Sequence, residues 1–154
     1  MFGKVKKWFG IESLKMKLDV LEAYPRKVET INGQIEFSSK HPETVVYIKI
    51  KLLERYERGR GENKKIDEYL LGEWVHDEHF VVDEERPKSI LFKMPFQFLK
   101  SPIEKVGASN IFGKGIMNVA KMMKAAKSEY RIEAEAVVEG SKINPFDKAK
   151  IVFI

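Results

Sequence analysis

The 154-residue chain contains no cysteine, which excludes disulfide bonds and every metal or catalytic site built on a thiolate. The lack of cysteine fits a reducing compartment, so we expect a cytoplasmic protein. The sequence also has no apolar run of roughly 18 residues, the length that a helix needs to cross a bilayer. The basic N-terminus is not predicted to be a signal peptide, because lysines interrupt its apolar part and no small-residue cleavage site follows.

Charge is distributed unevenly along the chain. The overall composition, with 44% hydrophobic and 33% charged residues and a net charge of +5, fits one soluble globular domain. Residues 1–17 hold five lysines against one glutamate, residues 100–127 hold six lysines against Glu104, and residues 54–88 hold eleven acids and seven bases. Nucleic acid favours one continuous basic stripe, so we expect no nucleic-acid partner, and the two lysine-rich segments suit an anionic surface.

The most regular apolar pattern lies in residues 90–98. Every second position carries a large apolar side chain: Ile90, Phe92, Met94, Phe96 and Phe98. This spacing places all five side chains on one face of an extended strand. A face this apolar predicts a covering sheet or a similarly large apolar element.

Strand-like alternation recurs along most of the chain, at residues 14–20, 28–37, 44–56, 66–71, 74–82, 130–138 and 149–154. Strands do not alternate regularly with helices, so a parallel sheet is not expected. About seven or eight strands with frequent turn signals predict an all-β fold, an antiparallel β-sandwich.

Two local features of these strands, at Asn32-Gly33 and within residues 44–56, allow alternatives. Asn32-Gly33 is a hairpin signal, yet the alternation continues across it, and we favour one strand with Gly33 as a bulge or close-approach point. A hairpin is predicted around Gly72, and a turn at 144–147. In the strand 44–56, Val46 shares a face with Ile48, Ile50 and Leu52, whereas Val45, Tyr47 and Leu53 face the other way. Either both faces are partly covered or the strand bends.

Two segments have the pattern of basic amphipathic helices. The first is a short N-terminal helix or arm within residues 1–13, which precedes a predicted domain at 14–154. The second is one inserted helix around 103–127. Their apolar and basic positions form the candidate interaction surface: Phe2, Lys4, Val5, Lys7, Trp8, Phe9, Lys114, Lys121 and Lys124. The inserted helix either packs its apolar side on the sandwich or uses it to bind a ligand.

Three stretches resemble the arrestin-like sandwich, and within it the bacterial sporulation-control family. They are Ile31-Asn32-Gly33-Gln34-Ile35, the segment Phe92–Phe98, and Tyr130–Ala134 together with the turn Asn144–Lys148. Members commonly carry two such domains, and the resemblance covers the first. It implies an immunoglobulin-like sandwich that acts as a non-catalytic adaptor or regulator, with no catalytic residues to carry over.

The residues offer no strong catalytic, cofactor or metal motif. Residues 107–115 differ from a phosphate-binding loop in their glycine spacing and in lacking the Ser or Thr that holds magnesium. His76 and His79 lie three residues apart, so in a strand they point to opposite faces and do not share one ion. The acids at 83–85, and Glu133 with Glu135, are expected on polar surfaces. We therefore expect no cofactor, no metal and no enzyme activity.

Three functions remain to be compared. The favoured one is a protein-interaction module that binds another protein, for which exposed sheet edges are one route. A homo-oligomer is a separate expectation, with no surface assigned to it. The alternative is a peripheral protein that docks on anionic lipid at the inner face of the membrane through its basic amphipathic segments. The third is an enzyme with a carboxylate site, which requires a concave pocket that holds two acids.

Overall fold

The computed structural model describes residues 14–59, 61–98 and 126–154. These ranges contain nine strands: β1 Leu14–Asp19, β2 Ala23–Tyr24, β3 Thr30–Ser39, β4 Glu43–Arg58, β5 Lys65–His76, β6 Phe80–Val82, β7 Lys88–Pro95, β8 Lys127–Val138 and β9 Phe146–Phe153. In the described ranges the one helical element is a 3-10 turn at Gly61–Asn63. The predicted N-terminal arm and inserted helix lie outside them. Within the same ranges, no helix has the length and apolarity to span a membrane.

The strands form two sheets that enclose one core. The smaller sheet has the order β1-β3-β7, and the larger has the order β2-β9-β8-β4-β5, with β6 beside β4. All pairings between neighbouring strands are antiparallel except that of β2 with β9. The prediction of an all-β, largely antiparallel fold is therefore confirmed.

The apolar row at residues 90–98 lies where the sequence predicts it. Phe92 and Met94 are buried, and Ile90, Phe96 and Phe98 are partly buried and packed on the core. The larger sheet faces them with aliphatic side chains that lie at every second position of its strands, including Ile48, Ile50, Leu52, Ile132, Ala134 and Ile151. Burying both apolar faces against each other is the main stabilising contribution to such a fold.

β3 is one uninterrupted strand, as favoured over the hairpin. Gly33 lies opposite Phe92 in the register of β3 with β7. A Cβ at position 33 would approach the Phe92 Cζ to 2.7 Å and the Val20 Cγ1 to 2.8 Å. Gly33 is therefore a close-approach point that lets the Phe92 ring lie across the strand.

The predicted hairpin around Gly72 is wrong. β5 runs straight through Gly72, and the hairpin instead joins β4 to β5 through the 3-10 turn at 61–63. Gly72 lies at a register shift between β4 and β5, where the backbone of the β7 end crosses it. A Cβ there would lie 2.6 Å from the Pro95 carbonyl oxygen and 2.7 Å from the Phe96 Cβ. Gly72 therefore allows two segments of the same chain to cross closely, and it does not lie in a turn.

The face that Val45 occupies in β4 and the start of β9 also differ from the prediction. Val45 is fully buried beside Ile48, because the register of β4 with β8 shifts between Val45 and Tyr47 and turns both residues to the core. The strand thus bends, which is one of the two alternatives. The predicted turn at 144–147 is partly strand, since β9 begins at Phe146, and Gly140, with φ of 78°, lies in the connection that precedes it.

Asp147 joins the two sheets at one side of the sandwich. One carboxylate oxygen accepts a hydrogen bond from the Leu18 amide of β1 at 2.8 Å, and the other accepts from the Lys148 amide at 2.9 Å. The Leu18 amide points away from β3, so it belongs to the free edge of the smaller sheet. An acid at such an edge stabilises the amide and hinders the addition of another strand.

Replacing Asp147 by alanine is expected to lower the free energy of unfolding by about 2 kcal/mol, because the part-buried Leu18 amide loses its acceptor. Asp147→Asn is the matched control, since it keeps one acceptor oxygen and should retain part of the stability. Urea denaturation of the three proteins measures both effects. Equal stability of Asp147→Ala and the natural chain would contradict a role for this contact.

Candidate interaction surface

All nine residues of the sequence-predicted interaction surface lie outside the described residues. They occupy positions 2–9 and 114–124, before Leu14 and between residues 98 and 126. Their role in binding stays a prediction. The described ranges instead present two surfaces that the sequence motifs did not single out.

The first surface is the outer face of the larger sheet, which we call the charged outer face. It consists of the outward side chains of four neighbouring strands, β5, β4, β8 and β9. Their charges include Glu68 and Glu73 on β5, Lys49, Lys51 and Arg55 on β4, Glu129, Arg131, Glu133 and Glu135 on β8, and Lys148 and Lys150 on β9.

The register of the strands places these charges in columns, each column being the same-sign charges along one strand, and the sign alternates from strand to strand. Arg55 lies between Glu68 and Glu129, and Lys51 lies between Glu73 and Glu133. Glu133 in turn lies beside Lys148 on β9. Across the sheet the strands are therefore mainly acidic, basic, acidic and basic, with Lys127 and Arg131 on β8 and Glu57 on β4 as exceptions. Opposite charges on neighbouring strands are the arrangement that favours this register.

An open groove of about 560 Å³ lies on this face. Arg131 lines the groove and makes ion pairs with Glu68 and Glu133. Glu129 receives three cations, the Arg55 guanidinium at 3.7 Å, the Lys127 ammonium at 3.1 Å and the Lys150 ammonium at 3.5 Å.

Ionisation in the groove follows from these pairs. The hydrogen bond from Lys127, followed by the charge of Lys150, lowers the pKa of Glu129. Burial lowers the pKa of Arg131, but the hydrogen bonds to Glu133 and Glu68 outweigh it and raise the value. The three acids of the groove are thus paired with cations in an open, charged setting. A catalytic carboxylate pair instead needs an apolar site that separates the two pKa values.

A polar and aromatic group occupies one end of the inner face of the larger sheet. Glu54 is only 2% exposed, and its carboxylate accepts a hydrogen bond from the Ser128 hydroxyl at 2.6 Å. Tyr56, Tyr69 and Tyr130 lie nearby, and burial is the first cause that raises the pKa of each phenol. The negative charge of Glu54 raises all three values further, as expected for phenols that would ionise beside an anion.

The two histidines considered for metal binding lie in different settings. His76 ends β5, and its ring lies 5.9 Å from Trp74 and 5.7 Å from Phe80. His79 is exposed in the connection to β6. No group of three or more potential ligands that could hold a metal occurs in the part of the chain that the structure describes.

The second surface is the outer edge of β7. The Phe96 amide donates to the Glu29 carbonyl, so Phe96 faces β3, whereas the Gln97 amide donates to Leu71 on the opposite side. Because antiparallel pairing alternates, the backbone groups of residues 90, 92 and 94 point to β3 and those of 89, 91 and 93 point outward. Leu91 is 76% exposed at the centre of this edge.

Comparison with known proteins places this fold. No family model and no curated protein matches the sequence. Among solved structures, the chain is similar to the sporulation control protein Spo0M from Bacillus subtilis, with a TM-score of 0.62 at 14% sequence identity. The similarity covers 92% of this chain and 50% of that structure, so the chain spans about half its length. The arrestin-like resemblance is confirmed at the level of the fold.

Sequence reasoning considered exposed sheet edges in general but singled out neither described surface, although the charged outer face left a signal. Same-sign charges at every second position mark the columns, as at Lys49 and Lys51, or at Lys148 and Lys150. The buried acid Glu54, which belongs to neither surface, also left a signal, because it continues the inward phase of Ile50 and Leu52. The face pattern becomes visible only when the strands are placed side by side in register.

Proposed function

We propose that this chain is a non-catalytic adaptor or regulatory module that binds a protein partner through the charged outer face. The observation that carries the proposal is the alternation of acidic and basic columns over four neighbouring strands. The arrestin-like fold supports a regulatory module, since it supplies two broad sheets that present such faces. The protein-binding role itself is our inference from the surface.

An extended charge pattern favours a macromolecular partner over a small substrate. The groove is open and its three acids are already paired with cations, so a small cation finds no free counter-charge there. A protein that presents the opposite columns can instead contact many charges at once. Such complementarity contributes specificity and fast association, and it weakens as the salt concentration rises.

A charge-reversal pair tests the proposal. Lys148→Glu with Lys150→Glu places acids in the basic column of β9, and we expect at least about a tenfold loss of affinity for the partner. The matched control is Lys15→Glu with Lys17→Glu, which makes the same charge change on exposed positions of β1 in the smaller sheet. Proteins captured from the native cell by each variant are quantified at low and high salt. Equal capture by both variants would refute the charged outer face as the binding surface.

As a second candidate, we propose that the chain docks on an anionic membrane surface. The supporting observation is the composition of the two basic segments. Trp8 and Phe9 lie among lysines in the sequence, and a helical projection of the second segment sets Lys114, Lys121 and Lys124 opposite an apolar stripe. Each lysine near an anionic leaflet contributes about 1 kcal/mol, which gives reversible binding. The protein would then be cytoplasmic and peripheral at the inner face.

Vesicle sedimentation separates the two candidates. The intact chain should sediment with phosphatidylserine-containing vesicles and not with neutral ones, and a double variant, Trp8→Ala with Phe9→Ala, should lose this binding. The Lys148→Glu and Lys150→Glu variant serves as the control, because the charged outer face is not part of the docking proposal. Continued sedimentation of the Trp8 and Phe9 variant would remove the N-terminal docking idea.

A further inference from the structure

The outer edge of β7 is open over a sharply bounded stretch. The outward backbone groups belong to Ser89, Leu91 and Lys93, and none of the strands that the structure describes pairs with them. On the β1 and β5 edges, by contrast, at least one outward group is bonded, since Asp147 accepts from the Leu18 amide and the Leu71 carbonyl accepts from the Gln97 amide.

Two prolines limit this open stretch symmetrically. Pro95 is the last residue of β7 and Pro87 directly precedes it. Counted in steps of two from Leu91, both prolines fall at positions whose backbone groups point outward. Proline has no N–H group, so neither position can donate a hydrogen bond there. Leu91 lies midway between them. The outward donors are therefore arranged symmetrically around Leu91, which is the property that pairing with an identical strand requires.

We propose that two copies of the chain pair their β7 edges antiparallel, across a two-fold axis at Leu91. The smaller sheets of both copies then form one continuous sheet. In this register Leu91 meets Leu91 of the second copy and Ser89 meets Lys93, with about six backbone hydrogen bonds between the strands. The proposal does not depend on the charged outer face.

The side chains select this register over its neighbours. A pairing centred on Lys93 would place two lysines directly opposite each other, which is unfavourable. Moving the two-fold axis by one residue, to position 90 or 92, would set Pro87 against Lys93 or Pro95 against Ser89, and proline has no N–H group to donate. The pairing centred on Leu91 uses all three outward residues and covers two leucines that are each 76% exposed in the single chain. A contact between two short strands is small, so the dimer is expected to form only at high protein concentration.

Paired charge variants at the two-fold axis test the proposal. Sedimentation equilibrium of the full chain is expected to show a monomer–dimer equilibrium. Leu91→Lys and Leu91→Glu should each weaken the dimer at least about tenfold, because like charges meet at the axis, and an equimolar mixture should restore it as a heterodimer. Both variants should keep the unfolding midpoint of the natural chain, since Leu91 is exposed.

Leu70→Lys is the matched control, because it introduces the same charge at an exposed leucine of the larger sheet and should leave the dimer unchanged. A natural chain that stays monomeric at the highest soluble concentration would overturn the proposal. So would unchanged dimers of both Leu91 variants, or a mixture of the two that fails to associate.

Discussion

Replacing Phe92 by alanine is expected to lower the free energy of unfolding by about 3–5 kcal/mol. The Phe92 ring is 3% exposed, lies across Gly33 and packs 5.7 Å from the Trp74 ring of the facing sheet. Alanine would leave a cavity between the two layers, and the rigid strands around it can relax only in part. Chemical denaturation followed by tryptophan fluorescence measures the change.

Leu91→Ala is the matched control for this prediction. It removes a large side chain from the adjacent residue of the same strand, but on the outer face, where Leu91 is 76% exposed. Its effect in dilute solution should stay within about 0.5 kcal/mol. If Leu91→Ala lowered the free energy of unfolding as much as Phe92→Ala does, the apolar row at 90–98 would not be enclosed between two sheets.

Gly72→Ala is expected to destabilise the fold by about 3 kcal/mol. The added Cβ would lie 2.6 Å from the Pro95 carbonyl oxygen and 2.7 Å from the Phe96 Cβ, so the backbone of the β7 end must move. The same crossing carries the hydrogen bond from the Gln97 amide to the Leu71 carbonyl, at 3.0 Å, which links the two sheets. Loss of this link should also expose the aromatic side chains that follow it.

Two substitutions calibrate the Gly72 effect. Glu73→Ala, at the next residue of β5, removes only an exposed ion pair with Lys49 and should cost less than about 1 kcal/mol. In Gly33→Ala the added Cβ meets side-chain atoms and not backbone, so this substitution should destabilise the fold less than Gly72→Ala does. Thermal and urea unfolding rank the three variants. A Gly72→Ala protein as stable as Glu73→Ala would show that the crossing tolerates a side chain.

The strands themselves could be predicted because their signal is local. Period-two alternation marks the buried face of β7 and runs through Gly33 in β3, and it depends only on residues within the same strand. The resemblance to the sporulation-control fold rested on such short stretches, and the shared fold at 14% identity agrees with it. Sheet faces, and with them the sandwich, follow from this pattern.

Features that depend on distant neighbours could not be predicted. A glycine between two apolar runs favours a hairpin by local rules, yet at Gly72 the deciding neighbours are Pro95 and Phe96, far along the chain. The burial of Val45 likewise follows from a register shift against β8. In both places tertiary contacts outweigh the local preference.

The candidate site was least predictable, for the same reason. Sequence patterns drew attention to the basic segments at 2–9 and 114–124, which lie outside the described residues. The columns of the charged outer face arise from cross-strand register, as where Lys51 lies between Glu73 and Glu133. Charges that look like ordinary surface residues in the sequence become a pattern only in the sheet.

The two proposed interactions use different parts of the sandwich. The charged outer face belongs to the larger sheet, whereas the β7 edge belongs to the smaller one. Pairing of two copies would therefore leave both charged faces free to bind. A dimer with two equivalent faces gains avidity for a partner that presents two matching sites. Loss of the dimer through Leu91→Lys should then weaken capture of such a partner without abolishing it.

Amide hydrogen exchange along β7 tests most directly the claim that this strand closes one side of the core and ends the smaller sheet. In dilute solution, the amides of Ile90, Phe92 and Met94 should be strongly protected, because they point to β3, and those of Ser89, Leu91 and Lys93 should exchange rapidly. At high concentration the second set should slow as copies pair. Uniform protection of all six amides in dilute solution, or rapid exchange of all six, would contradict the account.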